Sequence, residues 1–332
     1  MKILEKFNET KGPGYAVTVV QEGKEISHPI HGYADLENSV LISEATNFRL
    51  ASVSKQFIAV AVLVLVQNKK LALEDGLRTF FRDFPDYGKD ITLYQLLTHT
   101  SGLRDYESLS SGNTSSQVHD EDVFVLLKNE KGGLFEPGAK YSYSNGGYCL
   151  LRLIIEKVSG QDIGSFMRER IFQPLGMNST AVNFEGESII PDRAYGYSLQ
   201  ENDQWIRTDQ DKTSATIGDG GIYSSIVDMR KWDQVLYTDI IMVHKHVLTD
   251  EGEGVYYGFG LCLKEHNNRR VAYHGGSSIG FQTGVYYLLD ERMSVVFLSN
   301  RTGEEGSSIV EQLADDFLAT NVYRDIHESK RL

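Results

Sequence analysis

Between Ser52 and Lys70 the chain carries no Gly or Pro, and the middle of that stretch, Phe57–Val66, is apolar at every position. A surface helix keeps one polar face, whereas a helix apolar all round has to be buried on every side. The run falls far short of the roughly 18 residues that span a bilayer. It therefore predicts a central core helix that the remainder of the chain must enclose. With 332 residues there is enough chain to do so, as one large domain or two lobes.

The ends of the chain supply the sheet. Tyr15–Gln21 alternates small, β-branched and apolar residues, Gln21–Lys24 reads as a turn, and Ile26–Tyr33 reads as a returning strand. Tyr257–Lys264, Arg269–His274, Phe281–Leu289 and Met293–Ser299 are short, rich in β-branched and aromatic residues and separated by turn residues, the pattern of an antiparallel sheet. Glu305–Ala319 closes as an amphipathic helix. Between these ends, Thr92–Thr98, Asp122–Lys128, Gly147–Val158, Ile163–Phe172 and Ser225–Leu236 carry helical spacing. The expected fold class is mixed α/β (α+β): an antiparallel sheet flanked by helices, with an inserted helical lobe. Residues 1–78 and 251–332 would form the α/β lobe and 79–250 the mainly helical one, with the active site between them. Ser108–Ser116 is the most loop-like stretch and reads as a flap; loops 108–122 and 195–211 would shape specificity.

Composition removes several function classes. Lys+Arg minus Asp+Glu is 33 − 46 = −13, against the basic face of a nucleic-acid binder and against docking on anionic membranes. Charged residues at 24% are ordinary for a globule and exclude a disordered chain. Two cysteines, Cys149 and Cys262, cannot build a disulfide framework, and Cys149 in the apolar run Tyr148–Ile155 reads as a buried, inert thiol. The N-terminal segment has no continuous apolar stretch of signal-peptide length, so as written the chain is expected in the cytoplasm, or in the periplasm or outside the cell if a leader was trimmed.

Three motifs carry chemistry. In Ser52-Val53-Ser54-Lys55, a hydroxyl and an amine lie one helical turn apart on the same face. A Ser hydroxyl needs a neighbour to take its proton, and a Lys desolvated among apolar side chains has the lowered pKa of a base. On the order of one Ser-x-x-Lys is expected by accident in such a chain; this one stands out because it opens the most buried helix. Tyr143-Ser144-Asn145 places a phenol in an aromatic, Gly-rich loop ahead of an apolar helix. Beside Lys55 that phenol could share a proton and act as base, then acid, while Asn145 suits a substrate amide. The plainer alternative is a structural Tyr and an Asn that caps the helix. In His274-Gly275-Gly276-Ser277 the glycines allow another backbone to approach a strand, with the Ser277 N–H facing a developing oxyanion; the plainer alternative is a Gly-rich hairpin entry.

Other patterns carry less. Gly276-Ser277-Ser278-Ile279-Gly280 matches the nucleophile elbow of α/β-hydrolases, but that elbow needs a following helix and Phe281–Leu289 alternates like a strand. His28 and His31 show no acid partner and read as surface histidines, as do His244 and His246. Zinc-peptidase, P-loop and dinucleotide motifs do not occur.

Ser-x-x-Lys, Tyr-x-Asn and His-Gly-Gly in this order resemble the serine β-lactamase and penicillin-binding-protein superfamily. The likeness is greatest to its class C branch, with D-alanyl-D-alanine carboxypeptidases, D-aminopeptidases and related esterases. Phe48–Phe57, Leu96–Leu103 (LLTHTSGL), Phe135–Gly147, Pro174–Met177, Gly218–Ser225 and His274–Gly280 all look like that family, over about residues 15 to 320. The resemblance implies that Ser52 is the acylated nucleophile, Lys55 its proton partner and Tyr143 the general base and acid. Asn145 would orient the substrate amide, and the Ser52 and Ser277 N–H groups would form the oxyanion hole. It implies neither metal nor organic cofactor, a small-molecule or short-peptide substrate (D-peptide, ester or β-lactam), and a monomer or weak oligomer. A penicillin-binding sensor with little turnover is the alternative, and a Ser278 hydrolase a weaker one. Class C β-lactamases carry Lys-Thr-Gly where this chain has His274-Gly275-Gly276, so a fixed cation is replaced by a group with an ordinary pKa near 6.5. That substitution ranks esters and D-amino-acid peptides above β-lactams. It also predicts that His274 makes the binding of anionic substrates pH-dependent between about 5.5 and 7.5.

Overall fold

The computed structural model describes residues 2–7, 11–109, 116–184, 188–236, 238, 245–250 and 252–319. Its centre is a nine-stranded antiparallel sheet. Eight of its strands are labelled here: β1 (Tyr15–Gln21), β2 (Lys24–Ser27), β3 (Val247–Leu248), β4 (Tyr256–Gly258), β5 (Leu261–His266), β6 (Arg269–Ser278), β7 (Phe281–Leu288) and β8 (Met293–Ser299). They run in the order β3-β4-β5-β6-β7-β8-β1-β2, with Ile30–His31 also pairing β1. The two ends of the chain meet where β1 pairs β8, from Tyr15 opposite Ser299 to Gln21 opposite Met293. Both strands are buried along their whole length, which explains their density of valines: each face of the sheet is covered.

On one face Val17, Val19, Val295 and Phe297 pack against Ile309, Val310, Leu313 and Phe317 of the closing helix α5 (Gly306–Leu318). On the other face Ala16, Val285, Val296 and Leu298 join the cluster built on α1 (Lys55–Gln67). Phe57, Ile58, Val62 and Leu63 of α1 are buried on all sides, and Phe57 stacks on Trp232 of α4 (Ile226–Leu236) at 3.9 Å between centroids. Around the far side of α1 lie α2 (Asp120–Lys128), α3 (Asn145–Ser159) and the short helix Leu93–Leu97, which Thr92 caps. Among the described residues no helix is long and apolar enough to cross a membrane.

Several expected boundaries move, each for a local reason. The returning strand breaks at Pro29, which has no N–H to give the ladder, leaving Lys24–Ser27 and Ile30–His31 as separate pieces. The single strand expected over Tyr257–Lys264 is two, folded at Phe259 and Gly260, both with positive φ (57° and 82°). The strand expected to end at His274 runs on to Ser278, so the two glycines lie inside a ladder and not at a hairpin entry. His28 has acid partners after all, Glu25 at 2.9 Å and Glu44 at 3.6 Å. His244 and residues 110–115 of the loop-like stretch lie outside the described residues.

Candidate active site

The path into α1 is a 3-10 turn, Ala51–Ser54, entered through Ala51 at φ 48°, a left-handed conformation that costs a non-glycine residue of order 1 kcal/mol or more. The turn is held against the sheet by Thr283, whose hydroxyl donates to the Leu50 carbonyl at 2.7 Å. Gly276 makes this contact possible: a Cβ there would stand 2.2 Å from the Leu50 oxygen. The missing side chain lets β6 pass directly over the turn and brings Ser277 beside Ser52.

Lys55 is completely buried beneath this turn. Its Nζ has three oxygen partners: Ser52 Oγ at 3.1 Å, Asn145 Oδ1 at 2.8 Å and the Asp219 carbonyl at 2.9 Å. Two of these can only accept. The third is a hydroxyl, so a neutral amine satisfies the amide and carbonyl with its two N–H groups and turns its lone pair on Ser52. Burial lowers the Lys55 pKa, against the opposing pull of Asp219, Cys149, Asp105 and Glu107. The same ammonium site lies 5.0 Å from the ring centroid of Tyr143 and 5.6 Å from that of Tyr148. Helix α3 is capped by Ser144, which accepts from the Gly147 N–H. Asn145 is therefore released from capping and instead gives its NH2 to Asp105 and Glu107, both at 3.3 Å.

The residue that places Tyr143 is one whose role the sequence reading left unassigned. His99, in the LLTHTSGL block, adopts φ 55° and is buried. Its carbonyl accepts from the Ser142 N–H at 2.9 Å and its Nδ1 from the Ser144 N–H at 3.2 Å, so both neighbours of Tyr143 are tied to one residue. Its ring also lies 4.2 Å from that of Tyr143 and 4.5 Å from that of Tyr257. Burial, with Lys55 and His274 adding to it, holds the imidazole neutral, well below its ordinary pKa.

Ser52, Tyr143, His274, Gly275, Gly276 and Ser277 all line one cleft of about 340 Å³, together with Tyr273, Gln282 and Glu305. Lys55 and Asn145 sit just behind it, so every residue singled out in the three motifs converges there. His274 behaves differently from the expectation. Its Nδ1 must donate to the Gly275 carbonyl at 2.6 Å, and its Nε2 then accepts from the Tyr257 hydroxyl at 3.2 Å. Burial, with Lys55 nearby, lowers its pKa to about 4. In the free protein this ring neither titrates between 5.5 and 7.5 nor has an N–H to spare for an anion, and the expected pH window is corrected accordingly.

Ser278 ends β6 and is followed by a turn and β7, not a helix; its Oγ is buried with no hydrogen-bond partner among the described residues and does not line the cleft. Cys149 is buried and its thiol pKa is pushed well up by burial, then by Asp219 and Asp120. Asp105, Glu107 and Asp219, gathered around Lys55 and Asn145, carry no signal in the sequence: they come from two segments more than 100 residues apart, and only the fold brings them together. Among the described residues no group of His, Cys, Asp and Glu side chains is arranged to hold a metal ion.

A Ser–Lys–Tyr cleft between an antiparallel sheet and a helical layer defines a β-lactamase-like serine hydrolase. The chain belongs to the Beta-lactamase family, whose model matches residues 2–319. It is 32% identical over 327 aligned positions to penicillin-binding protein 4* of Bacillus subtilis (strain 168), covering 90% of this chain and 72% of that protein. It is also 32% identical over 313 positions to a D-aminopeptidase of Brucella anthropi, covering 88% of this chain and 57% of the relative, so it spans little more than half of that protein. Among solved structures it resembles the octameric penicillin-binding protein homologue from Pyrococcus abyssi (TM-score 0.82, 25% identity, 93% of this chain and 74% of that one). It shares its fold with the D-amino acid amidase from Ochrobactrum anthropi SV3 (TM-score 0.78, 24% identity, 95% and 94% covered).

Proposed function

We propose that this hydrolase works through a covalent acyl-enzyme on Ser52, cleaving amide or ester bonds of small acyl donors, with D-amino-acid amides and short D-peptides as the leading class. The observation that carries it is the Lys55 amine, buried and 3.1 Å from the Ser52 hydroxyl, with the Tyr143 ring 5.0 Å away at the floor of an open cleft. The Ser52 proton passes to the Lys55–Tyr143 pair as Oγ bonds to the carbonyl carbon. The oxyanion falls to the Ser52 and Ser277 N–H groups. As the carbon–nitrogen or carbon–oxygen bond breaks, the pair returns the proton to the leaving group. Water then repeats the sequence on the ester, freeing the acid and restoring Ser52. Asn145, held by Lys55 and the two acids just behind the cleft, orients a substrate amide by exchanging one of these partners for it. D-Amino-acid substrates are supported by the D-aminopeptidase relatives, and a cleft with no Lys or Arg among the described residues that line it disfavours acidic β-lactams. A fluorophosphonate probe followed by peptide mapping tests the reading: the adduct belongs on Ser52, is absent from Ser52→Ala, and an adduct elsewhere overturns it.

A further inference from the structure

The cleft in front of Ser52 has an uneven charge. Among the described residues that line it, beside Tyr143, Tyr273, His274, Ser277 and Gln282, Glu305 is the one Asp, Glu, Lys or Arg. Its carboxylate, exposed at the start of α5, makes no cap bond to the helix and no ion pair among the described residues. The adjacent cation is already engaged, Lys6 pairing with Glu304 at 3.1 Å.

The place of Glu305 is fixed by close packing. A Cβ on Gly284 would stand 2.3 Å from the Gly306 oxygen, and one on Gly306 would stand 1.8 Å from the Thr283 oxygen. The first turn of α5 is thus pressed onto β7 without intervening side chains. Ser307 lies against Gly275 of β6, which puts Glu305 at the end of the cleft marked by His274 and Gly275. The roughly half positive charge of a helix N-terminus is smaller than the full negative charge of the carboxylate, so the field at this end of the cleft is negative.

We propose that Glu305 is a specificity-determining residue: it favours substrates whose end lying toward α5 bears an ammonium group and rejects those ending there in a carboxylate. The proposal rests on Ser52 being the reacting residue, because that fixes which cleft the substrate occupies. An exposed charge pair is modest in water, so each unit of substrate charge changes affinity about two- to fivefold at low salt. Raising the ionic strength so that the Debye length drops to about 3 Å removes most of it.

Three ligands that differ only at one end test this: D-alanyl-D-alanine, its C-terminal amide and its 2-aminoethylamide. They are titrated calorimetrically against Ser52→Ala, which keeps the cleft and needs no turnover. The expected Kd order is aminoethylamide tightest, then amide, then free acid, spanning about fourfold to twenty-fivefold over the two charge steps and shrinking in 1 M salt. Adding Glu305→Gln flattens the order, and adding Glu305→Lys reverses it. An unchanged order in the Glu305→Gln background, preference for the free acid, or no binding of any of the three overturns the proposal. Fluorophosphonate labelling of the native protein reports separately on Ser52, so a failure of the catalytic reading is distinguishable from a failure of this one.

Discussion

His99 offers the sharpest test of how the site is held. It grips the chain on both sides of Tyr143, through its carbonyl to Ser142 and its Nδ1 from Ser144. Replacing it with Leu keeps the volume roughly constant but leaves the Ser144 N–H buried and unpaired, which costs about 1–3 kcal/mol. The Leu variant also loses the ring contact with Tyr143, about 0.5–1.5 kcal/mol, and adopts the left-handed conformation of residue 99 less readily than His. Replacing it with Asn keeps an acceptor near the same place and tolerates that conformation, and loses chiefly the ring contact with Tyr143, about 0.5–1.5 kcal/mol. The backbone carbonyl bond survives in both. Denaturant unfolding should therefore rank wild type above Asn above Leu, with Leu down by about 2–5 kcal/mol. A displacement of about 1 Å in a reacting group costs on the order of 100-fold, so kcat for a nitrophenyl ester should fall about that much in His99→Leu, with KM changed little and Asn restoring most of the loss. A folded His99→Leu variant with native kcat, or an Asn variant no better than Leu, would refute the argument.

Three further outcomes follow from the same contacts. His274 is neutral when folded, with a pKa of about 4, and titrates near 6.5 when unfolded, so the unfolded state binds the extra proton and stability drains away as pH falls below 6.5. Relative to His274→Gln, the native protein should lose about 1.4 kcal/mol per pH unit down to about pH 4, some 3 kcal/mol in all; parallel stability curves would contradict the burial. Gly276→Ala sets a methyl against the Leu50 carbonyl and the Thr283 hydroxyl, both fixed to each other, so β6 must move from the Ser52 turn. It should cost about 1–3 kcal/mol and lower esterase activity by about tenfold or more, and an unimpaired variant would show that the close approach is unnecessary. Ser278→Ala should retain full esterase activity while Ser52→Ala retains none; the reverse pattern would restore the elbow.

What the sequence made legible was whatever repeats or alternates. The apolar helix, the valine-rich strands and the pairing of the two chain ends all rest on periodicity, and each stands in the structure. The three motifs were legible for another reason: residue spacing on a helix or a short loop fixes proximity without the rest of the fold. The misread parts depend on contacts between distant segments. Pro29 was visible in the sequence, but its effect on the ladder appears only once β1 is its neighbour. His274 was read with an ordinary pKa because nothing local says that Tyr257 and the Gly275 carbonyl take both ring nitrogens. His99 lies within a block that resembles the family, yet its grip on the neighbours of Tyr143 spans up to 45 residues and leaves no local pattern.

The acids around Lys55 bear on how one amine can both take and return a proton. Burial lowers its pKa, and Asp219, Asp105 and Glu107 pull the other way. Burial raises the pKa of both Asp105 and Glu107, with Asp219 adding to each and Asp105 adding to Glu107, so both hold protons more readily than ordinary carboxylates. Each proton they accept removes a negative charge that was favouring the ammonium form of Lys55, and its pKa drops further. The coupling therefore opposes protonation of the amine as the pH falls. Asn145 links the two sets, accepting from Lys55 through Oδ1 and donating to both acids through Nδ2. A change at this one amide would therefore disturb the acids and the amine together.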